Sequence, residues 1–255
     1  MRRFLALLRY QVMVLFISPS TYAAAFLFCL MMGGIYTLSL LEVSAVEGGK
    51  SPIELFLQLF WLPVLFMVPM LTMRSIAEER RIGTLQSTMT TPVTAFQIVL
   101  SKFLACYILY VFMWALTLFF PVVTVFTIPQ TLVDDRIFSV SKIATGYSFI
   151  FVSGAMYVAI GVFASSLTRS TLVAGMLSFC MLFIAIIGSA VISRMTFADS
   201  AWISWFEQTA SYVQSFRHLE DFTNSLMDTR PFFLYLSAAA AFVAATSLVT
   251  EYKAS

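Results

Sequence analysis

The sequence predicts an all-α membrane protein with six transmembrane helices, and three observations lead there. Apolar residues fill 60% of the 255 positions, and Phe alone takes 26 of them, against roughly half apolar in a soluble domain. Charged residues make up 11%, where a soluble domain carries about a quarter. Six apolar runs, at 22–41, 55–73, 95–127, 143–167, 171–192 and 232–250, have about the length needed to cross the ~30 Å of bilayer hydrocarbon. A soluble core has nowhere to hide this much apolar surface, so the bilayer is the natural solvent. The runs are continuous instead of alternating, which favours helices over barrel strands.

Residues 1–20 combine Arg2, Arg3 and Arg9 with an apolar background. A signal peptide is the rival reading, but Arg9 interrupts its apolar centre and no small-x-small cleavage pattern follows. A helix lying in the membrane interface fits better: Phe4, Leu7, Leu8, Val12 and Leu15 share one face, and the arginines stay near the head groups. Ser18-Pro19-Ser20 then breaks the chain before the first span. The third run is overlong and contains Pro121, so it is expected to tilt or to break near that proline. The fourth carries Gly154, Gly161 and Ser165, with Ala155 and Ala159 four apart. Small residues of this kind let helix backbones approach closely, which marks a packing face. Cys29, Cys106 and Cys180 all fall within runs and lack metal or disulfide spacing, so they read as packing residues. Within 193–231, Trp202, Trp205, Phe206, Tyr212, Phe216 and Leu219 recur near helical spacing, which suits an amphipathic segment at the outer membrane interface.

Six crossings put both termini on one side. If that side is the cytosol, it holds nine basic residues (Arg2, Arg3, Arg9, Arg74, Arg80, Arg81, Lys102, Arg169 and Lys253) against three acidic ones, Glu78, Glu79 and Glu251. The other side holds six basic and ten acidic residues. The bias of Lys and Arg toward the cytosol favours this orientation. The net charge of +2 therefore hides a polarised molecule, with no pointer to nucleic acid.

What the runs lack narrows the function. Within the bounds given, only the third holds an ionisable side chain of the Asp, Glu, Lys, Arg or His type, and Lys102 lies near its inner end, where it is expected to snorkel to the interface. Ion-coupled carriers keep such groups at membrane depth for the relay, so an ion-driven carrier or channel is disfavoured. Gln58, the most polar side chain of the second run, is expected to satisfy itself locally. The only histidine, His218, sits in the last outer loop, and no HExxH or GxSxG pattern occurs. Gly49-Lys50-Ser51 mimics the end of a phosphate-binding loop, but Ser44 stands where its first glycine belongs and Pro52 follows at once. The chain is thus expected to be no enzyme, with no metal or cofactor of its own.

One compact patch breaks the apolar pattern. Residues 74–92 read RSIAEERRIGTLQSTMTTP, with five charges in the first eight positions. Arg74/Glu78 and Glu78/Arg81 have i,i+4 and i,i+3 spacing, which suits ion pairs on a helix. Gly83 can end that helix, Thr84 can cap a second one, and Pro92 can open the next span. Ile82, Leu85 and Met89 form an apolar stripe. Topology alone needs only Arg and Lys, so Glu78 and Glu79 argue for a docking surface of mixed charge.

The run from Pro69 to Leu85, PMLTMRSIAEERRIGTL, followed by Thr91-Pro92 and Ile98-Val99-Leu100-Ser101-Lys102, resembles the permease subunits of type-2 ABC exporters, nearest to the gliding-motility permease subgroup. The resemblance implies six helices per subunit, an N-terminal elbow helix at residues 1–20 and both termini in the cytosol of a bacterium, with the chain in the inner membrane. It implies a separate cytosolic ABC ATPase dimer that binds ATP and Mg and grips the loop after the second span. Arg74, Glu78, Glu79, Arg80, Arg81, Gly83, Thr84 and Leu85 would form that coupling element. It also implies a second permease copy or paralogue, lipid around the bundle and an accessory protein on the outer face. The function expected is export or flipping of a substrate, driven by that ATPase. The alternative is a non-transporting scaffold that passes ATPase strokes to an outer partner.

Overall fold

The structure is a computed structural model that describes residues 2–45, 52–84, 94–127, 140–188 and 229–253. Among them the chain is helical, in the order α1 (Arg2–Ile17), α2 (Pro19–Ala45), α3 (Pro52–Gln58), α4 (Trp61–Thr72), α5 (Ala77–Ile82), α6 (Ala95–Thr117), α7 (Phe119–Thr127), α8 (Val140–Leu167), α9 (Thr171–Phe183) continued by a π turn (Ile184–Gly188), and α10 (Arg230–Tyr252). Five helices are long and apolar enough to cross a membrane, and a bent pair raises the number to six. The aromatic segment expected within 193–231, His218 and Gly49-Lys50-Ser51 lie outside the described residues, apart from the last three positions of that segment.

The bent pair is the second span. The run expected to be continuous from 55 to 73 turns by 44° between α3 and the helix beginning at Trp61. Pro63 explains the break. A proline donates no hydrogen bond and its ring crowds the carbonyl four residues earlier, here that of Leu59. The chain changes to tighter bonding around that point, with Phe60 N donating to Leu57 O at 3.1 Å and Leu62 N to Leu59 O at 3.2 Å. The third span is interrupted ahead of its proline as well, but without a bend of that size. Pro121 crowds the carbonyl of Thr117, and α6 ends there, with α7 starting at Phe119. In each case proline sits in the first turn of the new helix, where its missing N–H costs nothing.

Pro92 does not open α6. Thr94 caps it instead: its hydroxyl accepts from Gln97 N at 3.3 Å, and Gln97 Oε1 accepts from Thr94 N at 3.4 Å, a reciprocal capping box. Helix α1 shows the expected spacing on a different surface. Phe4, Leu7, Leu8, Val12 and Leu15 are its half-buried residues, and they turn toward the protein, because α1 packs along α6. Leu5, Tyr10, Met13, Val14, Phe16 and Ile17 are exposed, so its outer face is mostly apolar too, with the charge of Arg9 upon it.

Helix α8 is the centre of the bundle. Of its most apolar stretch 78% is buried, against 22–44% for four of the other spans, and it packs on α10, α9, α6 and α4. Glycines set how close its neighbours come. A Cβ at Gly154 would lie 2.1 Å from the Tyr110 ring of α6, and one at Gly161 would lie 2.4 Å from Thr72 Oγ1 at the end of α4. Tyrosines bond across the same faces: Tyr107 and Tyr110 of α6 donate to the carbonyls of Phe151 and Ile150 at 2.9 and 3.2 Å. Gly154→Ala and Gly161→Ala are each expected to destabilise the bundle by about 1–3 kcal/mol through overpacking. Gly34, with nothing within 4 Å of its added Cβ, is the control, and Gly34→Ala should leave the melting temperature in detergent unchanged or raised.

Candidate functional site

Between α4 and α5 the helix is interrupted by turn residues at Met73–Ile76. The helix expected from Arg74 therefore starts three residues later, at Ala77. Its preceding residue is Ile76, whose side chain has no atom to cap free N–H groups. Ser165 of α8 supplies the cap from another span: its hydroxyl accepts from Ile76 N at 3.1 Å and Ala77 N at 3.0 Å, and donates to Met73 O at 3.2 Å. Gly161, one turn earlier on α8, admits Thr72 and so brings the end of α4 within reach. Thus the two residues lie on one face of α8, where Gly161 admits the chain and Ser165 bonds to it.

Lys102 corrects the snorkelling expectation. Its side chain is only 3% exposed, and its Nζ lies 2.6 Å from Glu79 Oε1 and donates to Ser75 O at 2.6 Å. It stands roughly two turns inside α6, and the folded loop offers a carboxylate and a carbonyl nearer than bulk water. Glu79 thus points inward. Arg80 does the same on the other side, donating to Ser166 O at the end of α8. Lys253, just past α10, donates to Leu167 O at 2.8 Å and reaches Ser166 O at 3.4 Å, so two cations cap the negative end of α8.

The remaining charged residues face outward. Arg74 Nε and Glu78 Oε2 are 3.7 Å apart, and Arg81 Nη2 and Glu78 Oε1 are 3.9 Å apart, at the spacings expected. Gly83 follows the helix with φ +82°, the left-handed conformation that glycine adopts without a Cβ penalty. Thr84 lies beyond it, with its hydroxyl donating to Glu79 O at 3.3 Å. Leu85 lies outside the described residues. Between α1 and this loop is a cavity of about 340 Å³, bounded by Leu7 and Val14 on one side and Arg74, Glu79 and Lys102 on the other.

At the opposite end of the bundle, Glu54 of α3 and Lys142 of α8 form an ion pair. Each lies one residue outside an apolar run, those beginning at 55 and 143. The opposite charges sitting just outside two runs were the available signal. Among the described residues no group of His, Cys, Asp and Glu side chains is placed to hold a metal ion.

A bundle of five to six apolar spans, with its charged loop bonded to two of them, defines a multi-pass membrane protein. A family model described as ABC-2 family transporter protein matches residues 47–250. The chain belongs to that family, whose members are membrane-spanning permease subunits of ABC transporters and work with an ATPase partner, typically in a dimeric arrangement. No curated protein matches the chain significantly.

Two measurements probe the loop anchors. Lys102→Met strands the Glu79 carboxylate and should cost about 3–5 kcal/mol, whereas Lys102→Met with Glu79→Met removes both charges and should return to within about 1 kcal/mol of the parent, read from unfolding in detergent. Ser165→Ala removes the cap and should cost ~1 kcal/mol, seen as faster protease cleavage within 74–92 with the other loops unchanged.

Proposed function

We propose that this chain is the permease subunit of an ATP-driven exporter or flippase, with a separate cytosolic ABC ATPase docked on the loop 74–92 and a second permease copy completing the pathway. Both termini then lie in the cytosol, and the membrane is the bacterial inner membrane. The observation that carries the reading is the double anchorage of α5. Glu79 ties it to α6 through Lys102, while Arg80 and the Ser165 cap tie it to α8. A force on α5 therefore reaches two spans directly, one of them the central helix.

The inward placement of Glu79 and Arg80 divides the coupling element by role. These two residues transmit motion to the spans. The docking surface consists of Arg74, Glu78, Arg81, Ile82, Gly83 and Thr84, in which Arg81 and Ile82 are well exposed, at 61% and 63%. Exposed apolar and arginine side chains beside mixed charge suit a protein partner. The ATPase cycle drives transport only if its contacts with this surface differ between two arrangements of the spans.

Charge reversal of Glu79 with Arg80 would release the anchors of α5 and displace the docking surface with it. Arg81→Glu with Ile82→Asp alters only the outward face. Co-expressed with its ABC ATPase, this variant should reach the membrane at the parental level and retain about tenfold less ATPase on purification. Undiminished co-purification would overturn the assignment of the docking surface.

A further inference from the structure

Three cations meet at the end of α8 without a carboxylate paired to them among the described residues. Arg80 and Lys253 both donate to Ser166 O, and Lys253 also to Leu167 O. Arg169 follows two residues beyond Leu167 and is exposed. Among the described residues the ion pairs involve Arg74, Arg81, Lys102 and Lys142, and none of these three cations. Their proximity is felt electrostatically: burial lowers the pKa of the Lys253 ammonium, and the positive charges of Arg80 and Arg169 lower it further. Capping the α8 carbonyls accounts for Arg80 and Lys253. It gives no reason for Arg169 to stand beside them, where it adds repulsion.

The surroundings indicate what would relieve that repulsion. Leu172 of α9 and Leu248 and Tyr252 of α10 are exposed at 77%, 68% and 83%. They lie within four residues of Arg169 or five of Lys253 along helices read as membrane spans. The cluster therefore sits where apolar, lipid-facing helix surface gives way to water, the depth at which lipid phosphates lie. A ligand that fits must be anionic at its head and apolar below it.

We propose that Arg80, Arg169 and Lys253 form a binding site for the phosphate of an anionic phospholipid, whose acyl chains lie along Leu172 and Leu248. Bound there, the head group joins α5 to the ends of α8 and α10, and so adds the surrounding leaflet to the contacts that hold the charged loop. The site does not depend on the docked ATPase, and it is tested on the permease alone, so its failure would leave the proposed function untouched.

The experiment uses the full chain in nanodiscs of equal parts phosphatidylglycerol and phosphatidylcholine, with retained lipid counted by native mass spectrometry after detergent extraction. The Arg169 side chain makes no hydrogen bond or ion pair among the described residues, so Arg169→Gln removes a charge without removing an internal bond. The parent should retain phosphatidylglycerol preferentially. Arg169→Gln should reduce the preference about fivefold, Arg169→Lys should keep it, and Arg9→Gln, a charge lost from exposed α1 at the same end, should not change it. Equal retention of the two lipids by the parent overturns the proposal. An equal drop in Arg169→Gln and Arg9→Gln also overturns it, since the effect would then be general surface charge. So does an Arg169→Gln variant that keeps the parental lipid preference.

Discussion

Lys102 stands roughly two turns inside α6, at a depth where an ammonium left without partners costs several kcal/mol. The chain meets this cost by folding the loop after the second span back against the bundle. The Ser75 carbonyl and the Glu79 carboxylate both arrive at Nζ, and with them comes the first turn of α5. Once Glu79 is fixed, the helical repeat places Arg80 toward α8 and turns Arg81 and Ile82 outward. The orientation of the whole charged element follows from satisfying one buried cation.

Close approach in the neighbouring helices makes that arrangement reachable. Gly161 leaves room for Thr72, which brings the end of α4 against α8 and puts Ser165 beside the unpaired N–H groups of Ile76 and Ala77. A bulkier residue at 161 would push α4 away and carry Ser75 and Glu79 with it. The packing of two spans and the pose of the loop are therefore one structural problem. The 44° bend ahead of Pro63 turns α3 away from α4 at the other end of the second span, where Glu54 is paired with Lys142 of α8.

For a permease that takes its energy from a separate ATPase, this geometry separates the surface that receives force from the residues that pass it on. The outward residues of α5 are available to a partner, and the inward ones are bonded to α6 and α8. Helix α8 touches α3, α4, α5, α6, α9 and α10, so displacement of its charged end propagates widely through the bundle. The cations around Ser166 and Leu167 add a further connection at that end, from α5 to the tail of α10.

The helical class, the spans and the charged loop were legible in the sequence because each depends on local properties: hydropathy over about 20 residues, the i,i+4 spacing of Arg74 and Glu78, the turn chemistry of Gly83. Pro121 announced its break, and Pro63 would have announced another on the same argument. What the sequence left undecided was the direction in which side chains face. Glu79 and Arg80 look like docking charges on paper, and Lys102 looks like a residue that reaches water. The apolar face of α1 looks like a lipid contact. Only the tertiary structure put a carboxylate beside Lys102, a serine of the fourth span at the start of α5, and α6 beneath α1. A charge or a hydroxyl is satisfied by whatever partner is nearest in space, and distances between residues 23 or 88 positions apart are set by how the helices pack, which no local pattern encodes.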